Sequence, residues 1–388
     1  MRNPLGYAVF LAVFSALVAG VHAYLDRRLV QPLPTERARR LGRRVVWVSG
    51  IGLPLGMFAA AALPRSLSAI TGPITFGWMA LVVLALFLAL GSEPLRLGRW
   101  AYERFAAKAP DPARRAFFEQ GLAGGVGFAS LGIGGYGLVE ARTPQLVRVT
   151  VKLKRLPAAL SGFRIAQLSD VHIGPLLDGA WLDDVVRRVN AELPDLVAIT
   201  GDLVDGRVAD LSEHVAPIRR LASKHGTFFV TGNHEYYSGA DEWIAELERI
   251  GVRVLRNERV AIGEGADGFD LAGVDDFKAH QFGGGHGADL ARALAGRDES
   301  RELVLLAHQP KEALRAVEHG VGLQLSGHTH GGQIWPFGLF VKLDQPFVAG
   351  LDTLGELQVY TSRGTGYWGP PVRVAAPPEI TVVTLERA

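Results

Sequence analysis

The chain has 388 residues, with 41 Lys and Arg against 39 Asp and Glu and a formal net charge of +2, a balance that gives no ground for a nucleic-acid partner. Cysteine is absent, which excludes disulfides, a thiol nucleophile and thiolate metal sites; any metal must be held by His, Asp, Glu or Asn. The 11 histidines therefore carry weight, and a mean hydropathy of +0.17 is high for a soluble chain.

The apolar excess is concentrated at the start. Residues 5–24, 45–63 and 70–90 are almost wholly apolar, and each is long enough to cross a hydrocarbon core of roughly 30 Å. Residues 121–139 are uncharged and Gly-rich. We read them as a fourth span, in which Gly124, Gly127 and Gly134 admit a close neighbour; a flexible linker is the alternative. Residues 1–142 are thus expected to form a transmembrane region of about four helices, and 143–388 a second domain. The loop after the first span holds Arg27, Arg28, Arg37, Arg39, Arg40, Arg43 and Arg44, and the next holds only Arg65. The third holds Arg96, Arg99, Arg104, Lys108, Arg114 and Arg115. The positive-inside rule puts the first and third loops in the cytoplasm, so everything after residue 139 is expected outside it. Arg114-Arg115-Ala116-Phe117-Phe118 resembles an uncleaved twin-arginine export signal, and gives the same orientation.

From about Thr143 short β-rich runs alternate with amphipathic patterns. Strands are expected at 164–168, 196–200, 227–231, 269–273, 303–307, 322–325, 357–361 and 380–385, and helices at 180–192, 210–224, 241–250, 289–295 and 310–318. Alternation of this kind predicts an α/β domain. The strands are too many for one simple parallel sheet, so two packed sheets flanked by helices are expected.

Polar residues stand where five of these strands end. The ends read Ser169-Asp170-Val171-His172, Gly201-Asp202-Leu203-Val204-Asp205, Gly232-Asn233-His234-Glu235, His308 and Ser326-Gly327-His328-Thr329-His330. Ligands bind at the carboxyl ends of strands in open α/β sheets. Asp-x-His and His-x-His are pairs that reach one or two ions from a single turn, and the glycines permit close backbone approach. Mixed oxygen and nitrogen donors suit Mn, Fe, Zn or Ni better than Mg or Ca.

This ordered set resembles the calcineurin-like metallophosphoesterase superfamily over roughly residues 160 to 335. Gly327-His328-Thr329-His330-Gly331-Gly332-Gln333-Ile334 and Ser362-Arg363-Gly364-Thr365-Gly366-Tyr367-Trp368 resemble its bacterial membrane-associated branch, which includes exported phosphodiesterases and relatives of lipid-A-pathway pyrophosphatases. The resemblance implies a four-layer α/β fold of two packed β-sheets flanked by helices, here preceded by the transmembrane helical region. It implies that Asp170, His172 and His330 hold one divalent metal, that Asn233, His308 and His328 hold a second, and that Asp202 bridges them. His234 would be the catalytic acid beside the leaving group, and Asp205 would orient a histidine or close its turn. Two cations, Mn being the first expectation, would clamp a phosphoryl group and supply hydroxide at neutral pH. The substrate is expected to be a phosphorylated lipid or envelope small molecule, with the bilayer as the other partner, nucleic acid excluded, and a multi-pass inner or plasma membrane location.

Other residues have two readings. His280 and His286 are surface residues or substrate contacts, and Asp275 and Asp276 are a turn cap or a substrate-pocket wall, of which we read the cap. Trp335, Pro336, Phe337, Leu339 and Phe340 are either core or an apolar lip facing membrane or an acyl chain. Tyr367 and Trp368 read as a pocket rim. Arg363 pairs with a substrate phosphate or with a surface carboxylate. His22, His214, His225 and His319 are expected to be structural or exposed. A membrane transporter or sensor with a regulatory metal-binding domain is the main rival; it is disfavoured because the spans carry almost no ionisable groups. A nuclease would need a basic groove, and only Arg253, Arg256 and Arg259 offer a start, which an exposed strand face explains.

Overall fold

The computed structural model describes residues 4–63, 65–105 and 111–388. Lys108, counted above among the third-loop charges, lies outside them. The chain divides into two compact units, Met1–Leu138 and Val139–Ala388.

The first unit is helical: α1 (Pro4–Leu25), α2 (Glu36–Ala62), α3 (Arg65–Gly91), α4 (Glu93–Phe105) and α5, which starts at Pro112 and runs to Ala141. Among the described residues two stretches, Leu67–Phe105 and Pro112–Ala141, are long and apolar enough to cross a membrane, and only 22% and 28% of their most apolar windows is buried in the protein. The Gly-rich segment is thus helix rather than linker. Two segments expected as charged loops are also helical. The Thr35 hydroxyl accepts the Ala38 N–H at 3.1 Å and starts α2 before Arg37. In α4, Arg96 and Arg99 reach Glu119 at 2.9 and 2.8 Å, so these cations are paired.

The second unit contains twelve strands. They are β1 (Gln145–Leu153), β2 (Phe163–Leu168), β3 (Leu196–Ile199), β4 (Thr227–Phe229), β5 (Arg253–Val254) and β6 (Glu258–Ile262), followed by β7 (Phe269–Gly273), β8 (Leu303–Leu306), β9 (Leu323–Ser326), β10 (Gly350–Leu354), β11 (Leu357–Thr361) and β12 (Glu379–Arg387). They form two six-stranded mixed sheets, ordered β1-β12-β2-β3-β4-β5 and β10-β11-β9-β8-β7-β6. Strands β2, β3 and β4 are parallel neighbours in the first sheet, as β8 and β9 are in the second. The register sets Ile165 opposite Leu196 and Val304 opposite Leu323.

Period-two alternation explains the layering. In β2, Phe163 and Ile165 face the core between the sheets, whereas Ala166 and Leu168 face the helices. In β8, Val304 and Leu306 face that same core and Leu303 and Leu305 face outward. The outer face of the first sheet is covered by α6 (Gly179–Ala191), α7 (Val208–Val215) and, beyond the short α8 (Asn233–Ser238), by α9 (Ala240–Arg249). That of the second is covered by α10 (Leu290–Leu294) and α11 (Ala313–Ala316), and α12 (Gly338–Val341), which has no buried residue, lies against the turn at Gly332. The result is the helix–sheet–sheet–helix fold expected.

Two helices fall well short of their sequence patterns. The helix expected over 210–224 stops at Val215 because Pro217 lacks the N–H that would continue it, and the chain tightens to a 3-10 turn, Ala216–Arg220. The helix expected over 310–318 is only one α turn, Ala313–Ala316, between 3-10 turns.

Candidate metal centre

The loops that follow β2, β3, β4, β8 and β9 carry all the polar motifs. They leave the carboxyl ends of parallel strands, so the topology brings them to one edge of the two sheets. Backbone geometry there is unusual. Among the described residues nine that are not glycine have positive φ, and five of them are Asp170 (51°), His172 (52°), Asp202 (53°), His328 (70°) and His330 (52°). Such left-handed conformations are costly and gather where function demands them. Gly201, at φ 86°, has no room for a Cβ, which would lie 2.8 Å from His308 Nδ1.

The expected donors converge. Asp170, His172 and His330 form one group able to hold a metal ion, and Asp202, His308 and His328 form a second. His172 Nε2 lies 3.1 Å from His330 Nε2, and His308 Nε2 lies 3.2 Å from His328 Nδ1. Two nitrogens each about 2.1 Å from one cation lie roughly 3 Å apart, so these spacings fit shared ions. Asp202 Oδ2 stands between the groups, 3.1 Å from His308 Nε2 and 3.9 Å from His172 Nε2. Asn233 Oδ1 is buried without a hydrogen-bond partner. A buried carbonyl oxygen left in this way costs about 1–3 kcal/mol, and a cation would satisfy it. The residues therefore fit a pair of divalent ions.

Neighbouring groups set the tautomers. The Thr200 carbonyl can only accept, so His308 donates from Nδ1, at 2.7 Å, and presents Nε2 to the cation site, where the Asp202 carboxylate, against the pull of burial, holds the His308 pKa well above the usual imidazole range. His172 Nδ1 faces Asp205 Oδ1 at 3.2 Å, with the same consequence. Burial, with the neighbouring His308, drives His328 down to about 3, and burial, with Arg373 and His172, holds His330 well below the usual imidazole range; both stay neutral, as ligands must be. Burial raises the Asp170 carboxyl, while Asp202, against the pull of burial, is held well below the carboxylate range by His308 and His234.

His234 is placed differently. Its Nδ1 lies 2.5 Å from Asp205 Oδ1, and its Nε2 lies 4.0 Å from Asp202 Oδ2. Burial pulls its pKa down, but the Asp202 and Asp205 carboxylates push it up to about 9, so the ring carries a proton at neutral pH. Asp205 Oδ1 thus serves two imidazoles, His172 and His234. Trp368 and Tyr237 stand 5.5 and 5.3 Å from the His234 ring and flank it with aromatic walls.

Three supporting residues had no role in the sequence reading. Glu235 accepts N–H groups from Gly232, Asp202 and Leu203 at 2.7–2.9 Å and locks two metal loops together; its place third in the helix after Gly232 was the available signal. Gln167 donates to Thr200 Oγ1 and to the Ser326 carbonyl, each at 2.9 Å, and ties the sheets under the site. Arg373 is fully buried, donates to the carbonyls of His330 and Gly366, and lies 3.0 Å from His330 Nδ1. Nothing in the irregular segment around it marks it out.

The residues with two readings resolve as follows. Asp276 accepts the Lys278 N–H at 2.9 Å, the cap expected, while Asp275 is a buried ion-pair partner of Arg256 at 2.7 Å. His286 contacts Arg256 at 2.6 Å, and His280 is exposed beside the Phe277 carbonyl. Arg253 and Arg259 lie on β5 and β6, as the strand-face reading has it, and face Glu258 and Asp270 at 2.9 and 3.4 Å, so all three arginines of that run are paired with carboxylates. Arg363 pairs with Glu379 at 2.6 Å. Tyr367 is buried, so of the supposed rim only Trp368 is exposed. Trp335, Phe337, Leu339 and Phe340 are 51–66% exposed, which overturns the core reading for them.

A His/Asp dimetal centre at the shared edge of two sandwiched sheets defines a metallophosphoesterase, a hydrolase of phosphate esters or anhydrides. The chain belongs to the calcineurin-like phosphoesterase family, whose profile matches residues 163–332. It is 33% identical over 394 residues to a transmembrane protein with metallophosphoesterase domain from Danio rerio, covering 98% of this chain and 89% of that one. A Bos taurus protein of the same name is 43% identical over 262 residues, covering 65% of this chain, which spans 59% of that relative's length. An uncharacterized metallophosphoesterase from Helicobacter pylori is 39% identical over 280 residues, covering 71% of this chain and 73% of its own.

Proposed function

We propose that the chain is a membrane-anchored phosphoesterase of the bacterial membrane-associated branch, acting outside the cytoplasm on a phosphorylated lipid or other envelope amphiphile. The observation that carries this reading is a complete dimetal donor set beside exposed aromatic residues, in a chain with apolar helices long enough to cross a bilayer. Asp170, His172 and His330 would hold one cation, Asn233, His308 and His328 the other, and Asp202 both. Their mixed oxygen and nitrogen donors favour Mn, with Fe, Zn or Ni as alternatives. When bound, such a pair neutralises phosphoryl charge and lowers the pKa of water to about 7.

The chain's own residues do the rest. The imidazoles and carboxylates would hold the two cations at the sheet edge and so set where a substrate phosphate is received. His234, held by Asp205, presents Nε2–H towards the leaving oxygen and delivers its proton there, a contribution typically worth 10²–10⁴ in rate. Trp368 and Tyr237 beside that ring shield the leaving-group side from water and favour an apolar leaving group. The loop arginines support a catalytic unit on the outer side; a reporter fused after Ala388 tests that. The activity is tested by hydrolysis of bis-aryl and aryl phosphates, and of lipid phosphates, by the purified full chain with added Mn. Cleavage that stops on chelation and returns with Mn supports the reading; absence of cleavage across metals and substrates sinks it.

A further inference from the structure

We propose that the apolar ridge next to the metal loop is a bilayer-docking surface. Trp335, Phe337, Leu339, Phe340 and Leu343 are 51–84% exposed, and Trp368 beside them is 54% exposed. Soluble surfaces rarely leave such a group in water. The ridge is nonetheless built firmly. Ile334 is buried, the Trp335 N–H donates to the Val374 carbonyl at 3.0 Å, and the Val374 N–H donates to the Gln333 carbonyl at 2.9 Å. The Gln333 side chain donates to the Trp368 carbonyl at 2.8 Å and accepts the Trp368 N–H at 3.2 Å, so the two exposed parts are one surface. That surface begins five residues after His330 and ends against His234, the ring centroid of Trp368 lying 5.5 Å from that of His234.

Three features point to lipid as the occupant. The mix of Trp, Phe and Leu is that of residues seated at the headgroup and acyl boundary. Lys342, within the ridge, is exposed and has no ion-pair partner among the described residues, and so complements anionic headgroups. The nearby Asp344 is paired with Lys311 at 2.8 Å and adds little repulsion. Finally, only Arg142 to Pro144 join the apolar α5 to β1, a reach of about 11 Å when extended. A bilayer that holds α5 is therefore present at high effective concentration for every copy, whereas a second protein is not. The inference rests on the membrane-anchored reading above. It adds that a lipid substrate enters along the ridge, from the bilayer, to His234.

The chain has no cysteine, so single nitroxide labels report single positions. The full chain is reconstituted in phosphatidylcholine vesicles containing phosphatidylglycerol, labelled in turn at Leu339→Cys on the ridge, Ile74→Cys on α3 and Glu299→Cys at the opposite edge of the second sheet. Leu343→Cys repeats the ridge measurement should the first variant misfold. Relaxation by oxygen, which partitions into lipid, is compared with relaxation by a water-soluble nickel chelate. A ridge label shielded from nickel and exposed to oxygen, with the Glu299→Cys label open to nickel, supports the proposal. A ridge label as open to nickel as the one at 299 overturns it, whatever the label at 74 reports. Dipolar broadening between ridge labels also overturns it, by assigning the surface to a second copy. A label at 74 open to nickel sinks the membrane anchor alone.

Discussion

The Asp205 carboxylate offers the sharpest quantitative test of the site. One oxygen faces His234 Nδ1 at 2.5 Å and His172 Nδ1 at 3.2 Å. Replacing it in Asp205→Asn keeps an acceptor but removes the charge. A charge-assisted hydrogen bond is worth about 1.5–3 kcal/mol and a neutral one about 0.5–1.5, so each contact loses about 1–1.5 kcal/mol. Two contacts give about 2–3 kcal/mol, or roughly 30- to 150-fold in kcat/KM. The His172 share acts through metal affinity and should be recovered at saturating Mn, leaving about tenfold in kcat from His234. In a His234→Ala background the same substitution should then cost almost nothing at saturating Mn. Steady-state hydrolysis of a bis-aryl phosphate by the four proteins, over a Mn titration, measures each value. An Asp205→Asn loss of equal size with and without His234 would refute the idea that the two act as one unit.

Further outcomes follow from the same geometry. His234→Ala should lower kcat by 10²–10⁴ while metal analysis finds the cation content of the wild type. Gly327→Ala puts a Cβ onto Ser169 Oγ and Asp170 Oδ2, so metal binding and activity should both be lost although the sheets still fold, as circular dichroism would show. Asp195 accepts the Arg164 N–H at 2.8 Å and pairs with Lys224 at 2.6 Å; burial opposes these partners, yet they hold its carboxyl below the ordinary value. Its stabilising effect is therefore present above the unfolded carboxylate pKa of about 3.9 and is lost as pH falls through the lower folded value. Asp195→Asn should lower the melting temperature at neutral pH, and the difference should close as the pH falls through the lowered folded-state pKa of this carboxyl.

The site was more legible in the sequence than its support. Metal chemistry demands particular residue types at particular places, so Asp170, Asp202, Asn233 and the four metal-motif histidines stood out at strand ends before any geometry was known. Arg373 reaches His330 from 43 residues away, and no local pattern encodes such a partnership. Strand identity was readable where apolar runs were buried, as in β3 and β8. Strand order was not, because β12 inserts between β1 and β2 through pairings over more than 200 residues. Strand β1 could have been found, since Val147, Val149, Val151 and Leu153 alternate cleanly; β10 could not, being short and largely exposed. The ridge after His330 shows the opposite limit: an apolar run names burial, and only the fold tells whether protein covers it.

Anomalous diffraction from Mn-loaded protein tests the central claim most directly. The account predicts two peaks flanking the Asp202 carboxylate, one beside His172 and His330 and the other beside His308 and His328. A single peak, or a pair that leaves Asp202 untouched, would contradict it.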